Sequence, residues 1–176
     1  EAVRYEYSSI RSVPQGDPMP TARIVPLEPP YPSAVATSLE AMMPQGVPPL
    51  RLFRTLAKNP RVLEKIRRGN LLDRGSLSLH DREIVILRTC ARCGAEYEWG
   101  VHVAVFSARV GLTPEQVAAT VHGDGSEPFW SESDRVLIRL VDALHATARV
   151  GDVLWAALAR HFDEAQCVEL LVLAGF

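Results

Sequence analysis

Cysteine is scarce in this chain: three residues in 176. An odd, low count argues against a disulfide-stapled secreted fold and predicts reduced thiols. Long apolar runs are missing too. None approaches the ~20 residues that a membrane-spanning helix needs, and no basic segment followed by an apolar one opens the sequence as a secretory signal would. The expectation is a cytoplasmic protein without a membrane partner. Charge of one sign is also lacking. The net charge is −2, with no dense Lys/Arg patch, so the footprint of a nucleic-acid binder is absent. The densest basic spot, Arg67 and Arg68 in "EKIRRGN", reads as a solvated helix end.

The balance that remains is ordinary: 47% apolar and 23% charged residues in a length that suits one domain with a sizeable core. Proline is unevenly spread. Seven of the thirteen prolines fall in residues 1–33, which predicts an extended arm there, either laid on a neighbouring surface or disordered. Residues 34–176 then read as a single helical domain. "PLRLFRTLAKNP" carries a helical apolar stripe, and Pro60 suits the first turn of "PRVLEKIRRGNLL". Ser78 with Asp81 three residues on has the form of a capping box before "REIVILRTCARC". Gly94 predicts a break near 93–95, and the next helix runs to Gly111. Thr113-Pro114-Glu115 is a helix start, and 123–129 is a loop. Ser131, Asp152 and Asp163 are expected N-caps of helices over 132–148, 153–162 and 164–176. "ELLVLAGF" at the end stops in mid-pattern, as a cut helix would. No segment alternates with period two for long, so the fold class is all-α.

Chemistry concentrates in "TCARCGAEYEWGVH", residues 89–102. Cys90 and Cys93 have the C-x-x-C spacing of a redox pair, in which one thiolate attacks and the second resolves. The same residues in a short apolar helix serve as small buried hydrophobes. At ~100° per residue, Cys93 in one continuous helix faces away from His102. Glu98, four residues before His102, shares its face, and a carboxylate beside an imidazole sets its tautomer and raises its basicity. Tyr97, Trp99, Val101, Val103, Val105 and Phe106 make the surroundings apolar. The Glu98-x3-His102 spacing also allows two metal ligands on one face. No second histidine lies near in sequence, which leaves His80, His122 or His145 to approach in space, and the site is read as metal-free. His145 reads as a packing histidine, His161 as a helix-end residue, Trp130 as a loop anchor and Cys167 as core.

"REIVILRTCARCGAEYEWGVHVAVF", with its lead-in "RVLEKIRRGNLLDRGSLSLHDRE" and the final "ELLVLAGF", resembles the carboxymuconolactone decarboxylase family, which includes the alkylhydroperoxidase D-like proteins; the likeness extends over about 35–176. The resemblance implies an all-helical bundle that assembles as a dimer, trimer or hexamer. The peroxidase branch carries a glutamate, a C-x-x-C and a histidine four residues after the second cysteine. Aligned on the histidine, His102 and Glu83 match, while Ala95 and Glu98 stand at the two thiol positions; Cys90 and Cys93 fall five residues too early. The decarboxylase branch uses no thiol and no cofactor, and acts on small carboxylated lactones. It implies a catalytic set of Glu83, Glu98 and His102. In that set His102 donates the proton, Glu98 orients it and Glu83 is a second carboxylate. Tyr97 and Trp99 are candidate pocket walls, and Arg82 and Arg88 candidate cations for the substrate's carboxylate. Two other readings stay open: a thiol-dependent peroxidase through Cys90 and Cys93, and a non-catalytic ligand-binding or assembly protein.

Overall fold

The computed structural model describes residues 24–43, 45–69 and 75–175. Among them are nine α-helices and no strand, as the patterning predicts, and no helix is long and apolar enough to cross a membrane. The chain divides into two compact units, Pro14–Asp73 and Glu1–Val13 with Arg74–Phe176. Most of the proline-rich arm lies outside the described residues; its described end, 24–32, is not helical.

The first-named unit holds α1 (Ser33–Ala41), α2 (Arg51–Leu56) and α3 (Pro60–Arg68). Val35, Leu39, Ala57 and Leu63 form its core, with Tyr31, Phe53 and Leu56 packed around them. Asn59 caps α3 by accepting the Val62 N–H, with Pro60 in the first turn. The basic end of α3 is not simply solvated. Glu64 accepts from Arg67 at 2.7 and 2.8 Å and from Arg68 at 2.6 Å, and the Arg67 hydrogen bond, followed by that of Arg68, holds its carboxyl down at about 2.

The second unit comprises α4 (Leu79–Cys93), α5 (Glu96–Phe106), α6 (Pro114–His122), α7 (Glu132–Thr147), α8 (Asp152–Leu158) and α9 (Glu164–Gly175). Helix α4 is its axis and packs against α5, α6, α7 and α9. Residues 83–88, Cys90 and Ala91 are all buried, so the helix is covered on every side. That explains the β-prone look of "REIVILR": a helix buried all round needs apolar residues without a stripe.

Ser78 caps α4 by accepting the Asp81 N–H at 3.1 Å, and donates its hydroxyl to the Asp81 carboxylate. The break at Gly94 is a Schellman stop. Gly94 has φ +67°, and the Ala95 N–H reaches back to the Cys90 carbonyl at 2.8 Å. Helix α5 ends earlier than expected, at Phe106 rather than Gly111. Ser107 Oγ donates back to the Val103 carbonyl at 2.6 Å, a local bond that competes with helix continuation. The backbone stays wound beyond it, with Val110 N–H on the Phe106 carbonyl and Gly111 at φ +72°. Thr113 and Ser131 cap α6 and α7 in full capping boxes. Asp163 caps α9 through the Gln166 N–H. Asp152 is not a cap: Gly151 is, and Asp152 lies in the first turn of α8, where its charge still suits the helix dipole.

His80 ties α4 to two other segments. Its Nδ1 lies 3.2 Å from the Val110 carbonyl and its Nε2 2.9 Å from Asp134 Oδ1. Both partners accept, so both ring nitrogens donate, which requires the imidazolium. The Asp134 hydrogen bond raises the His80 pKa most and outweighs burial, which lowers it.

Two predictions follow from these joints. Gly94→Ala leaves no clash, since no atom lies within 4 Å of the added carbon, but it forces alanine into a left-handed backbone; urea unfolding should show a loss of about 1 kcal/mol. His80 has a folded pKa above its unfolded value, so its contribution is complete below about pH 6.5 and lost as pH rises through the folded value. The stability gap between wild type and His80→Leu should be widest in mild acid and should narrow above neutrality.

Candidate active site

Helix α4 presents Glu83 and α5 presents His102. Glu83 has no solvent exposure and His102 is 4% exposed. His102 Nδ1 lies 2.7 Å from Glu83 Oε2, a charge-assisted distance at which the ring N–H donates to the carboxylate. The other Glu83 oxygen, Oε1, accepts from Arg82 at 3.3 and 3.4 Å. On the far side of the ring, Nε2 stands 3.6 Å from Glu98 Oε1, an ion-pair rather than hydrogen-bond separation; the Glu98 side chain is 33% exposed.

The roles of the two carboxylates are therefore the reverse of those expected from spacing. Glu83, nineteen residues away on another helix, orients the imidazole. Glu98, one turn away on the same helix, is the outer group between Nε2 and solvent. Burial alone would lower the His102 pKa. The Glu83 hydrogen bond, and then the nearby Glu98 carboxylate, outweigh it and hold the ring up at about 9. At neutral pH the arrangement is an imidazolium clasped by an inner fixed and an outer accessible carboxylate. It can give up a proton from Nε2 and recover it past Glu98.

The other candidates are placed as follows. Trp99 is fully buried and donates its Nε1–H to Thr120 Oγ1 at 3.0 Å, so it fastens α5 to α6. Tyr97 stands at the surface, 49% exposed. Arg88 is no solvated arginine and no substrate cation. It is buried, forks onto both oxygens of Asp142 at 2.7 and 2.8 Å, and donates to the Thr120 carbonyl at 3.0 Å. Arg82 does border the site, with its guanidinium 5.7 Å from the centre of the Phe106 ring. Phe106 enters the spacing argument only as an apolar neighbour; in the structure its ring stacks on His102 at 5.3 Å. Its position four residues after His102 is the signal that marks it.

Cys90 and Cys93 are both free, one buried and the other exposed. Burial pushes the Cys90 thiol up to about 12, and the nearby charge of Glu98 adds to the rise. Cys93 opens onto a cavity of about 240 Å³ between the C-terminal ends of α4, α7 and α9, which Glu83, Glu98 and His102 do not line. His145 lines that cavity and is exposed rather than packed. Trp130 anchors its loop by donating to Glu127 at 3.1 Å, and Cys167 is core. His80 is committed to Asp134 and Val110. Among the described residues no cluster of three His, Cys, Asp or Glu side chains is arranged to hold a metal ion.

This helix pair, with its acidic and imidazole residues, falls inside a matched sequence pattern: residues 58–141 fit that of the carboxymuconolactone decarboxylase family. The likeness is one of sequence pattern over that segment. The match covers the middle of the wider stretch over which the resemblance is traced, and includes all of α3 to α6 and most of α7. No curated protein matches the chain. Among solved structures, an uncharacterized peroxidase-related protein from Silicibacter sp. TM1040 is similar, with 18% identity, a TM-score of 0.75, and coverage of 92% of this chain and 87% of that one. At that identity the likeness speaks for the fold, an all-α alkylhydroperoxidase D-like bundle, and not for the activity.

The thiol geometry gives a direct expectation. With Cys90 held protonated and buried, stoichiometric peroxide at neutral pH should leave its thiol titratable after denaturation, and should not join it to Cys93. Rapid paired loss of both thiols would restore the peroxidase reading.

Proposed function

We propose that this protein is a cofactor-independent acid–base enzyme of the carboxymuconolactone decarboxylase type. Its substrate is a small carboxylated or lactone-like metabolite and its reaction a decarboxylation or isomerisation. The observation that carries the reading is the buried hydrogen bond between Glu83 and His102, 2.7 Å long, with Glu98 beside the other ring nitrogen. A structural histidine has no need of a second, solvent-reaching carboxylate at its free nitrogen; a proton donor that must reload has.

The step balances without a redox partner. The bond between the substrate's α-carbon and its carboxylate breaks, and CO₂ leaves. The electron pair stays on the carbon and spreads into the lactone's conjugated system. His102 Nε2 then gives its proton to that carbanion equivalent. Glu83 keeps the imidazole oriented and stabilises its charged form before transfer, and Glu98 passes a proton from solvent to restore it. One proton is consumed per turnover. A thiol is absent from the positions seven and four residues before the histidine, where Ala95 and Glu98 stand; what supports proton rather than electron chemistry is this pair of residues together with the high Cys90 pKa.

His102 must be charged to donate, so turnover should hold through neutrality and fall as pH rises past about 9. Glu83→Gln removes the largest raising partner, so its alkaline limb should move toward the ordinary histidine value, with a rate loss of about 10²–10⁴-fold at neutral pH, the usual worth of a positioned acid. The experiment screens carboxylated lactones in D₂O, follows CO₂ release and single deuterium incorporation, and compares His102→Ala. Full turnover by that variant would sink the proposal.

A further inference from the structure

The residue that would bind a carboxylated substrate is not supplied by either arginine expected from the sequence. Arg88 is consumed by Asp142 and the Thr120 carbonyl, and Arg82 lies on Glu83 Oε1. A third arginine stands nearby. Arg109 places its guanidinium 5.8 Å from the centre of the same Phe106 ring that stacks on His102 and lies under Arg82. Arg109 is exposed, and no described carboxylate forms an ion pair with it.

We propose that Arg109 is a specificity-determining residue of the His102 site, binding a carboxylate of the substrate that the reaction leaves intact. The inference rests on the acid–base reading of His102 for its link to turnover. Three features carry it. Glu98, His102, Phe106 and Arg109 follow one another at intervals of four, four and three residues, one line along α5 and the wound turn after it. That line is polar end to end: a carboxylate at one end, a guanidinium at the other, the imidazole and the Phe106 ring between. An anionic substrate is repelled from the Glu98 end and drawn to the Arg109 end, which turns its uncharged part toward His102. Lastly, two guanidinium groups gather on one aromatic ring. Arg82 is matched by Glu83 Oε1, so Arg109 is the one of the two placed to meet a substrate's anion. The ring contact is a weak one at an exposed site. That is enough to bias the Arg109 rotamer toward the site and too little to replace a counter-ion, and a planar guanidinium offers a carboxylate two parallel hydrogen bonds. The substrate class is thus a small, largely flat carboxylate whose reacting carbon lies apart from the bound carboxylate.

The test uses benzoate as the anionic probe and benzamide as its uncharged counterpart, titrated calorimetrically into the full chain. Wild type should bind benzoate at least tenfold more tightly than benzamide. Arg109→Gln should lose at least tenfold of the benzoate affinity and none of the benzamide affinity, and Arg109→Lys should recover part of it. Arg160→Gln, at an exposed arginine in the turn after α8, should bind as wild type does. His102→Gln should still bind benzoate, so this readout stands or falls apart from turnover. Once a carboxylated substrate is in hand, Arg109→Gln should raise KM at least tenfold with kcat within about twofold. Equal benzoate binding by wild type and Arg109→Gln, or a wild type that does not prefer benzoate to benzamide, overturns the proposal.

Discussion

Burying a carboxylate without a partner costs several kcal/mol, and Glu83 sits in the second turn of the most covered helix of its unit. What makes that position tolerable is the His102 hydrogen bond on one oxygen and the Arg82 contact on the other. The bond joins α4 to α5, and it makes the two helices interdependent. Removing either partner strips the other of its shortest hydrogen bond while it stays buried, so the pair is a structural joint. Its chemistry follows from the same fact. A low-dielectric surround would strip the proton from an isolated imidazole, yet here the carboxylates win, and the ring is held charged where solvent can still be reached past Glu98.

The joint can form only because the chain stops and turns at Gly94. In an unbroken helix, Cys90, Cys93 and His102 would be arranged by the 100° step alone. The Schellman stop ends α4 and starts α5 two residues later, with α5 packed back on α4. Glu83 and His102, nineteen residues apart, then face one another. The same turn leaves Cys93 exposed beside a cavity that His102 does not line, while Cys90 is shut in. The cysteine pair thus flanks the turn that builds the site.

Much of this is legible in the sequence, for identifiable reasons. Helix starts at Ser78, Thr113 and Ser131 and the stop at Gly94 are local, because caps are satisfied within three or four residues. Glu98 and His102 are readable as neighbours because they are one turn apart. The rest needs contacts between helices. Nothing local says that Glu83, rather than Glu98, holds Nδ1, or that Arg88 is spent on Asp142, fifty-four residues away. Asp152 misleads because an acid one residue inside a helix and an acid at its cap look alike in sequence. Gly111 misleads because Ser107 ends the regular helix first, while the winding carries on to the glycine.

The substitution at the thiol positions ties structure to chemistry. In the family's peroxidase pattern the residue four before the histidine is a cysteine, a group that can give up electrons. Here that residue is Glu98, whose carboxylate stands 3.6 Å from Nε2. A carboxylate at that distance can exchange protons with the imidazole but cannot reduce a peroxide. The surrounding frame is a glutamate on one helix clasping a histidine on the next. On the proposed acid–base reading, the carboxylate at the open face of the ring serves proton exchange, while the buried Glu83–His102 bond joins the two helices.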